Sequence, residues 1–500
     1  MRFSRLPICV SSALGALRTG CHRRAPVVIA ALTALAVPAG ALGGPTPKPS
    51  RPPVTTLGTL VQLSGSSGCL VDRSTPRAGC QSVRALRGPA PFLGSEAVAI
   101  SPDARNVYVA SSASNAIAVF RRNPRTGHLT QGPGVAGCIA MQGAGGCASG
   151  IGLEGPNSVA VSPDGRNVYA TSLNSNAVDV FARNSSTGAL TQASPGTGSG
   201  CIANVPTSGC ATGRALDGPD VVVVSPDGRN VYVGSFKGNS IAVLARDPST
   251  GALAQAAGTS GCVTYTPITG CASGVALASP EGMAVSPDGG DIYVAAALSS
   301  ALDIFARNPS TGSLTQAGGG TGCIVQAPLA GCTTGVQLGG ADAVAVSPDG
   351  SDVYVTSVLN NSVTSFTRSP TSGQLTQQTG TSACVLYVLA AGCSLGRALN
   401  APEGLAVSPD GANVYAAAFA SGAIDVLDRS AESGALTQKP RRAGCLAIGL
   451  PHSCALGRGL LGASSIAVSP DGRFVYAAAF ASNALSIFKR VTKTISRMQR

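Results

Sequence analysis

A carboxylate or an amide stands at the same place in most of seven repeated segments: Glu96, Asn157, Asp220, Glu281, Asp342 and Glu403, with Ser464 closing the series. Each lies immediately before a short apolar run, so a fold that gathers the starts of those runs gathers these side chains too. Grouped oxygens of this kind are hard ligands suited to Ca²⁺ or a similar cation. Alternatively, one Glu among them (Glu96, Glu281 or Glu403) would act as a general base if a neighbour raised its pKa. The plainer reading is a set of turn residues that open a strand and face water. Other chemistry is sparsely equipped. Of the three histidines, His22 is near the N-terminus, His128 opens a short apolar run, and His452 lies between repeats. No Walker loop or HExxH is found.

The elements that position these side chains come from an internal repeat. Ser-Pro-Asp-Gly begins at Ser162, Ser225, Ser286, Ser347, Ser408 and Ser469, with Ser-Pro-Asp-Ala at Ser101; the copies are 61 residues apart except for one spacing of 63. In each unit an apolar run such as Val159-Ala160-Val161 meets this type I turn and resumes as Asn167-Val168-Tyr169-Ala170, two antiparallel strands. A third run, Ala177 to Phe181, and a fourth, Ala189 to Gln192, follow, which makes the four-stranded sheet of a propeller blade. The last unit stops after its third strand, Leu485 to Phe488. The missing fourth strand is supplied at the other end of the chain, where Gly58-Thr59-Leu60-Val61-Gln62 matches Gly188 to Gln192. Pairing the two ends closes a ring and hides the edges of an open sheet. The expected fold is therefore all-β, a single seven-bladed β-propeller over 57–490.

Fourteen cysteines fall as one pair per repeat: Cys69 with Cys80, Cys138 with Cys147, Cys201 with Cys210, Cys262 with Cys271, Cys323 with Cys332, Cys384 with Cys393, and Cys445 with Cys454. Zinc needs three or four ligands and no His accompanies the pairs, so seven local disulfides are the favoured reading over metal. They lie in the loops from the fourth strand of one blade to the first of the next. Residues that recur in all seven copies read as structural. These are the turn Asp (Asp103, Asp164, Asp227, Asp288, Asp349, Asp410, Asp471) and an Arg after each third strand (Arg122, Arg183, Arg246, Arg307, Arg368, Arg429, Arg490), expected as surface pairs of little energy. Asp179, Asp303 and Asp425, inside third strands, are expected to be buried and hydrogen-bonded.

The ends have their own composition. Residues 1–41 carry Arg23-Arg24 before an uncharged stretch ending in Ala39-Gly40-Ala41, which reads as a secretory signal; 42–56 is a Pro-rich linker and 491–500 a basic tail. The formal charge of +12 is concentrated in these ends, which leaves the body close to neutral and speaks against nucleic acid as a partner. Export to the outside or to the cell surface follows, with membrane attachment only if the N-terminal segment stays uncleaved, and with a monomer expected.

The repeat Ser-Pro-Asp-Gly-Arg-Asn-Val-Tyr, continued to Gln192 and again from Ser286 to Gln316, resembles the YVTN-type repeat of the seven-bladed propeller lactonases, which include 6-phosphogluconolactonase-type enzymes. The resemblance implies hydrolysis of a sugar lactone. Where those enzymes have basic and His residues before the first strand, this chain has Pro156-Asn157-Ser158, Pro219-Asp220-Val221, Pro280-Glu281-Gly282 and Pro402-Glu403-Gly404. With so little catalytic equipment, the first expectation is a non-catalytic binding or scaffold protein whose disulfide-looped face takes a protein, a glycan or a wall polymer. The alternative is a lactonase-like hydrolase with a cation at the channel mouth.

Overall fold

A computed structural model describes residues 57–89, 96–193, 200–388, 390, 392–449 and 453–492. The expected signal, the linker, residues 493–500 of the tail and His452 lie outside them. The described residues form seven sheets, one per repeat. No helix among them is long and apolar enough to cross a membrane.

One blade shows how the repeat is used. Pro219–Val224, Asn230–Ser235 and Ser240–Arg246 run antiparallel in order from the innermost strand outwards. The outer edge of the third strand is then divided. Its Arg246 end pairs with Leu253–Gln255 (Arg246 opposite Leu253), and its Ser240 end pairs with Cys262–Thr264 (Ser240 opposite Thr264). Ala272–Ser273 adds a short parallel strand outside that. Each blade therefore has six strands where four were expected, because the cysteine loop itself extends the sheet. The disulfides hold the two added strands together: Cys262 and Cys271 are joined with their Cα atoms 4.8 Å apart, and all seven expected pairs are formed.

The second strands are buried along their whole length, since each lies between neighbouring sheets. Seven tyrosines, Tyr108 to Tyr476, are among the largest fully buried side chains. A buried Tyr hydroxyl needs a partner, and here it donates to the next blade: Tyr169 to Gly251 O at 2.9 Å, Tyr232 to Gly312 O at 2.8 Å. Gly251 sits at φ +80°, and a Cβ there would overlap the Asn167 side chain, so only glycine permits the approach.

The recurrent Arg and Asp are also between blades. Arg307 Nη2 donates to Asp227 at 2.7 Å, its Nε to the Tyr232 hydroxyl at 2.8 Å, and its Nη1 to Gly289 O at 3.0 Å. Arg307 is 2% exposed at its side chain against 34% for Asp227. The expectation of weak surface pairs thus needs correction: the guanidinium is buried and hydrogen-bonded through all three nitrogens, a multi-point latch, and the carboxylate is the side that reaches water. Burial acts to raise Asp227, but the Ser225 hydroxyl, the Arg229 amide and Arg307 outweigh it and hold the carboxyl below its usual range. Arg122 with Asp471 and Arg490 with Asp410 continue the series around the ring. Closure is as the sequence implied: Leu60 pairs with Arg490 and Gln62 with Phe488, and the Tyr415 hydroxyl donates to Gly58 O at 2.8 Å.

Candidate functional site

The seven aligned positions sit where the innermost strands begin. Six of them fall on irregularities in the pairing with the second strand. Between Pro219 and Val221, Pro280 and Gly282, Pro402 and Gly404, and Ala463 and Ser465 the register shifts by one residue, which leaves Asp220, Glu281, Glu403 and Ser464 as the extra residue. Asn157 and Asp342 lie within similar shifts. A bulge re-aims the side chain it carries. Here it turns the polar groups away from water, so that Asp220, Glu281, Asp342 and Glu403 are at most 2% exposed. Gly282 makes this possible in the fourth repeat, since a Cβ on it would overlap the Asp342 carbonyl oxygen. The reading of water-facing turn residues therefore does not hold.

Neighbours in the ring meet in pairs. Asn157 Nδ2 donates to Asp220 Oδ1 at 2.5 Å. Glu281 Oε1 accepts from the Ser279 hydroxyl at 2.8 Å, and Glu281 and Asp342 are hydrogen-bonded to each other. Asp220 Oδ2, Asp342 Oδ1 and both oxygens of Glu403 have no partner among the described residues. Burial drives every one of these carboxyls up, and mutual repulsion adds to it for Asp220, Asp342 and Glu403. Two buried acids in contact cannot both ionise. Asp342 therefore keeps its proton and donates it to Glu281.

Glu96 differs from the rest. It is only half-buried, and desolvation raises its carboxyl to about 7. Its carbonyl oxygen accepts from Val159 N at 3.0 Å and from the Ser158 hydroxyl at 3.3 Å, which fixes its backbone against the second repeat. A carboxyl that titrates near neutrality and still has access is the form a general base takes.

Among the described residues no cationic side chain offsets the ring. Arg214 points its guanidinium at Ala256 O, 2.9 Å, and Gly270 O, 3.3 Å, and Lys237 is exposed. His128 is half-buried at a turn beside Thr126. Asp179, Asp303 and Asp425 are fully buried, each accepting from the Gln at the end of its fourth strand. Among the described residues no three His, Cys, Asp or Glu side chains are arranged to hold a metal ion.

The family described as lactonase, 7-bladed β-propeller, matches over residues 93–203, 202–327 and 329–445. No curated protein matches the chain. Solved structures similar to it include a provisional 6-phosphogluconolactonase of Bacteroides fragilis (19% identity, 68% of this chain and 81% of that one, TM-score 0.47). Also similar are the periplasmic gluconolactonase of Pseudomonas aeruginosa (19%, 77% and 94%, TM-score 0.47) and hydrazine synthase of Kuenenia stuttgartiensis (17%, 81% and 98%, TM-score 0.47). Likeness at this level speaks to the fold alone. The family match, in contrast, covers most of the chain, and it reverses the order of the two expectations: a hydrolase now stands ahead of a non-catalytic scaffold. Seven disulfides are consistent with an oxidising, extracytoplasmic compartment.

Proposed function

The chain belongs to the lactonase family of seven-bladed β-propellers, and on that premise we propose that it hydrolyses a lactone of a sugar acid, outside the cytoplasm, at the end of the ring where the innermost strands begin. The observation that carries the reading is Glu96, the half-buried member of the carboxyl ring, raised by desolvation to about 7. In its ionised form it takes a proton from water as the water oxygen bonds to the lactone carbonyl carbon. The ring C–O bond then breaks, the alkoxide oxygen is protonated by the carboxyl, and a hydroxy acid leaves.

The test is hydrolysis of glucono-δ-lactone by the mature, oxidised protein, followed by pH-stat above the spontaneous rate. Because Glu96 must be ionised, kcat/KM should rise with pH through about 7 and level off above it. Glu96→Gln should lower kcat by about 10²-fold or more, the usual contribution of a positioned base, with the fold unchanged by circular dichroism. A parent no faster than buffer on gluconolactone and related lactones, or a Gln variant as active as the parent, would overturn the reading.

A further inference from the structure

The sevenfold repeat is its own reference, and the first cysteine loop departs from it in length and in charge. Counting from the first cysteine of each loop, Arg73 stands where the other six repeats have an uncharged residue, Gln142 and Val205 for instance. Counting from the conserved Leu before each first strand, Arg87 stands where the others have Glu154, Asp217 or an uncharged residue. The same loop is the one with ten residues between its cysteines rather than eight. Both arginines line a cleft of about 270 Å³ between the loop of the last blade and the first complete blade, together with Arg84, Ser74 and Ser114.

The charges in this cleft are not balanced. Arg84 is fixed by the carbonyl oxygens of Gly134, 2.8 Å, Gly146, 3.0 Å, and Gly132, 3.3 Å, none of which carries charge. Asp72, the one acid in the lining, is buried with one oxygen on the Ser74 amide and hydroxyl, at 2.9 and 2.6 Å, and the other on the Leu86 amide, at 2.9 Å. Its place is a structural one, because Asn204 Oδ1 accepts from Leu216 N and Gln326 Oε1 from Leu338 N at the same position. The side chains of Arg73 and Arg87 are exposed and have no hydrogen-bonded or ionic partner among the described residues. Three guanidinium groups face one acid, in a concave space of small-molecule size, between the closing blade and the first complete one.

We propose that this cleft binds an oxyanion, the phosphate or carboxylate group of a small soluble ligand, held by the forked donors of Arg73 and Arg87 against the fixed Arg84. Guanidinium forks match both groups in two-point geometry. The site is separate from the carboxyl ring, so its test needs no lactonase activity. Calorimetric titration at low ionic strength with inorganic phosphate, and separately with glucuronate, should give saturable binding in the millimolar range for at least one. Arg73→Gln with Arg87→Gln should weaken it by about tenfold or more. Only the backbone amides of these residues are bonded, Arg73 N to Val83 O and Arg87 N to the Ser114 hydroxyl, so the fold survives the change, as a matching melting temperature would verify. Arg229→Gln, an exposed arginine elsewhere, should leave binding intact. Saturation by phosphate alone or by glucuronate alone assigns the source of the oxyanion. No saturation with either probe up to about 20 mM, four to five powers of ten above the affinity of a tight site, or equal binding by the double variant, would overturn the proposal.

Discussion

Asp179→Asn should stabilise this protein, and by an amount that depends on pH. Asp179 is fully buried in a third strand; Oδ2 accepts from the Ser172 hydroxyl at 2.7 Å and Oδ1 from Gln192 Nε2 at 3.4 Å. Burial raises its carboxyl to about 8, and the two hydrogen bonds only partly oppose that. In the unfolded chain the group ionises near 3.9. Its folded pKa is therefore the higher one, and its contribution is complete below about pH 4 and is lost as pH rises towards 8. Each pH unit in that window costs about 1.4 kcal/mol, so at pH 7 folding has to retain a proton at a cost of up to about 4 kcal/mol. Asparagine does not titrate, and it can accept from Gln192 while donating to the Ser172 oxygen. Urea unfolding of parent and variant, disulfides intact, at pH 4.5, 6 and 7.5 should show a small difference at the lowest pH that widens steadily in favour of the variant. A constant difference, or a variant less stable at pH 7.5, would refute the reasoning, since it would mean that Asp179 is charged in the folded protein.

Two further perturbations test the joints between blades and the loops. Arg307→Met removes the latch to Asp227, Tyr232 and Gly289 and should destabilise by about 3 kcal/mol, the lower end of what breaking a buried pair costs. Asp227→Asn keeps an acceptor but leaves the buried guanidinium without its counter-charge, so it should cost a similar amount, about 3 kcal/mol, and a loss below about 1 kcal/mol in denaturant melts would contradict the burial of the charge. Replacing Cys262 and Cys271 together by Ala opens one short loop, with an expected loss of about 2 to 3 kcal/mol on the chain-entropy estimate. Hydrogen exchange should rise first at Cys262–Thr264, and an unchanged exchange pattern there would count against a role for the disulfide in holding the added strands.

The ring was legible in the chain because its signals are local and repeated: Ser-Pro-Asp-Gly fixes a turn wherever it occurs, and the missing fourth strand after Phe488 points to residues 58–62. The two extra strands per blade were not legible. Cys262–Thr264 and Ala272–Ser273 are too short to carry a period-two pattern, and their pairing depends on the disulfide between them. The position of the acids was read correctly from alignment, but their burial was not, because a bulge is a property of two strands in register and Pro-Glu-Gly alone reads as a turn. The same holds for the arginines: nothing next to Arg307 in the sequence indicates Tyr232, which comes from the preceding blade. Arg73 and Arg87 break the repeat in the sequence, but only the fold brings them into one cleft with Arg84.

Pairing Leu60 with Arg490 has a consequence for biogenesis. A chain made at roughly 5 to 20 residues per second keeps its first strand waiting for tens of seconds before the last one exists. The interior blades are complete within themselves, each with a disulfide only nine residues long, and can be sealed one by one as they emerge. The last blade cannot. Until the end of the chain is released, the third strand Ala484–Arg490 and the segment Leu60–Gln62 are each other's missing edge, and two half-made chains are as able to satisfy one another as one finished chain is to satisfy itself. Crowded synthesis should therefore favour tail-to-head chains of molecules, and dilution or delayed contact should favour closed single rings.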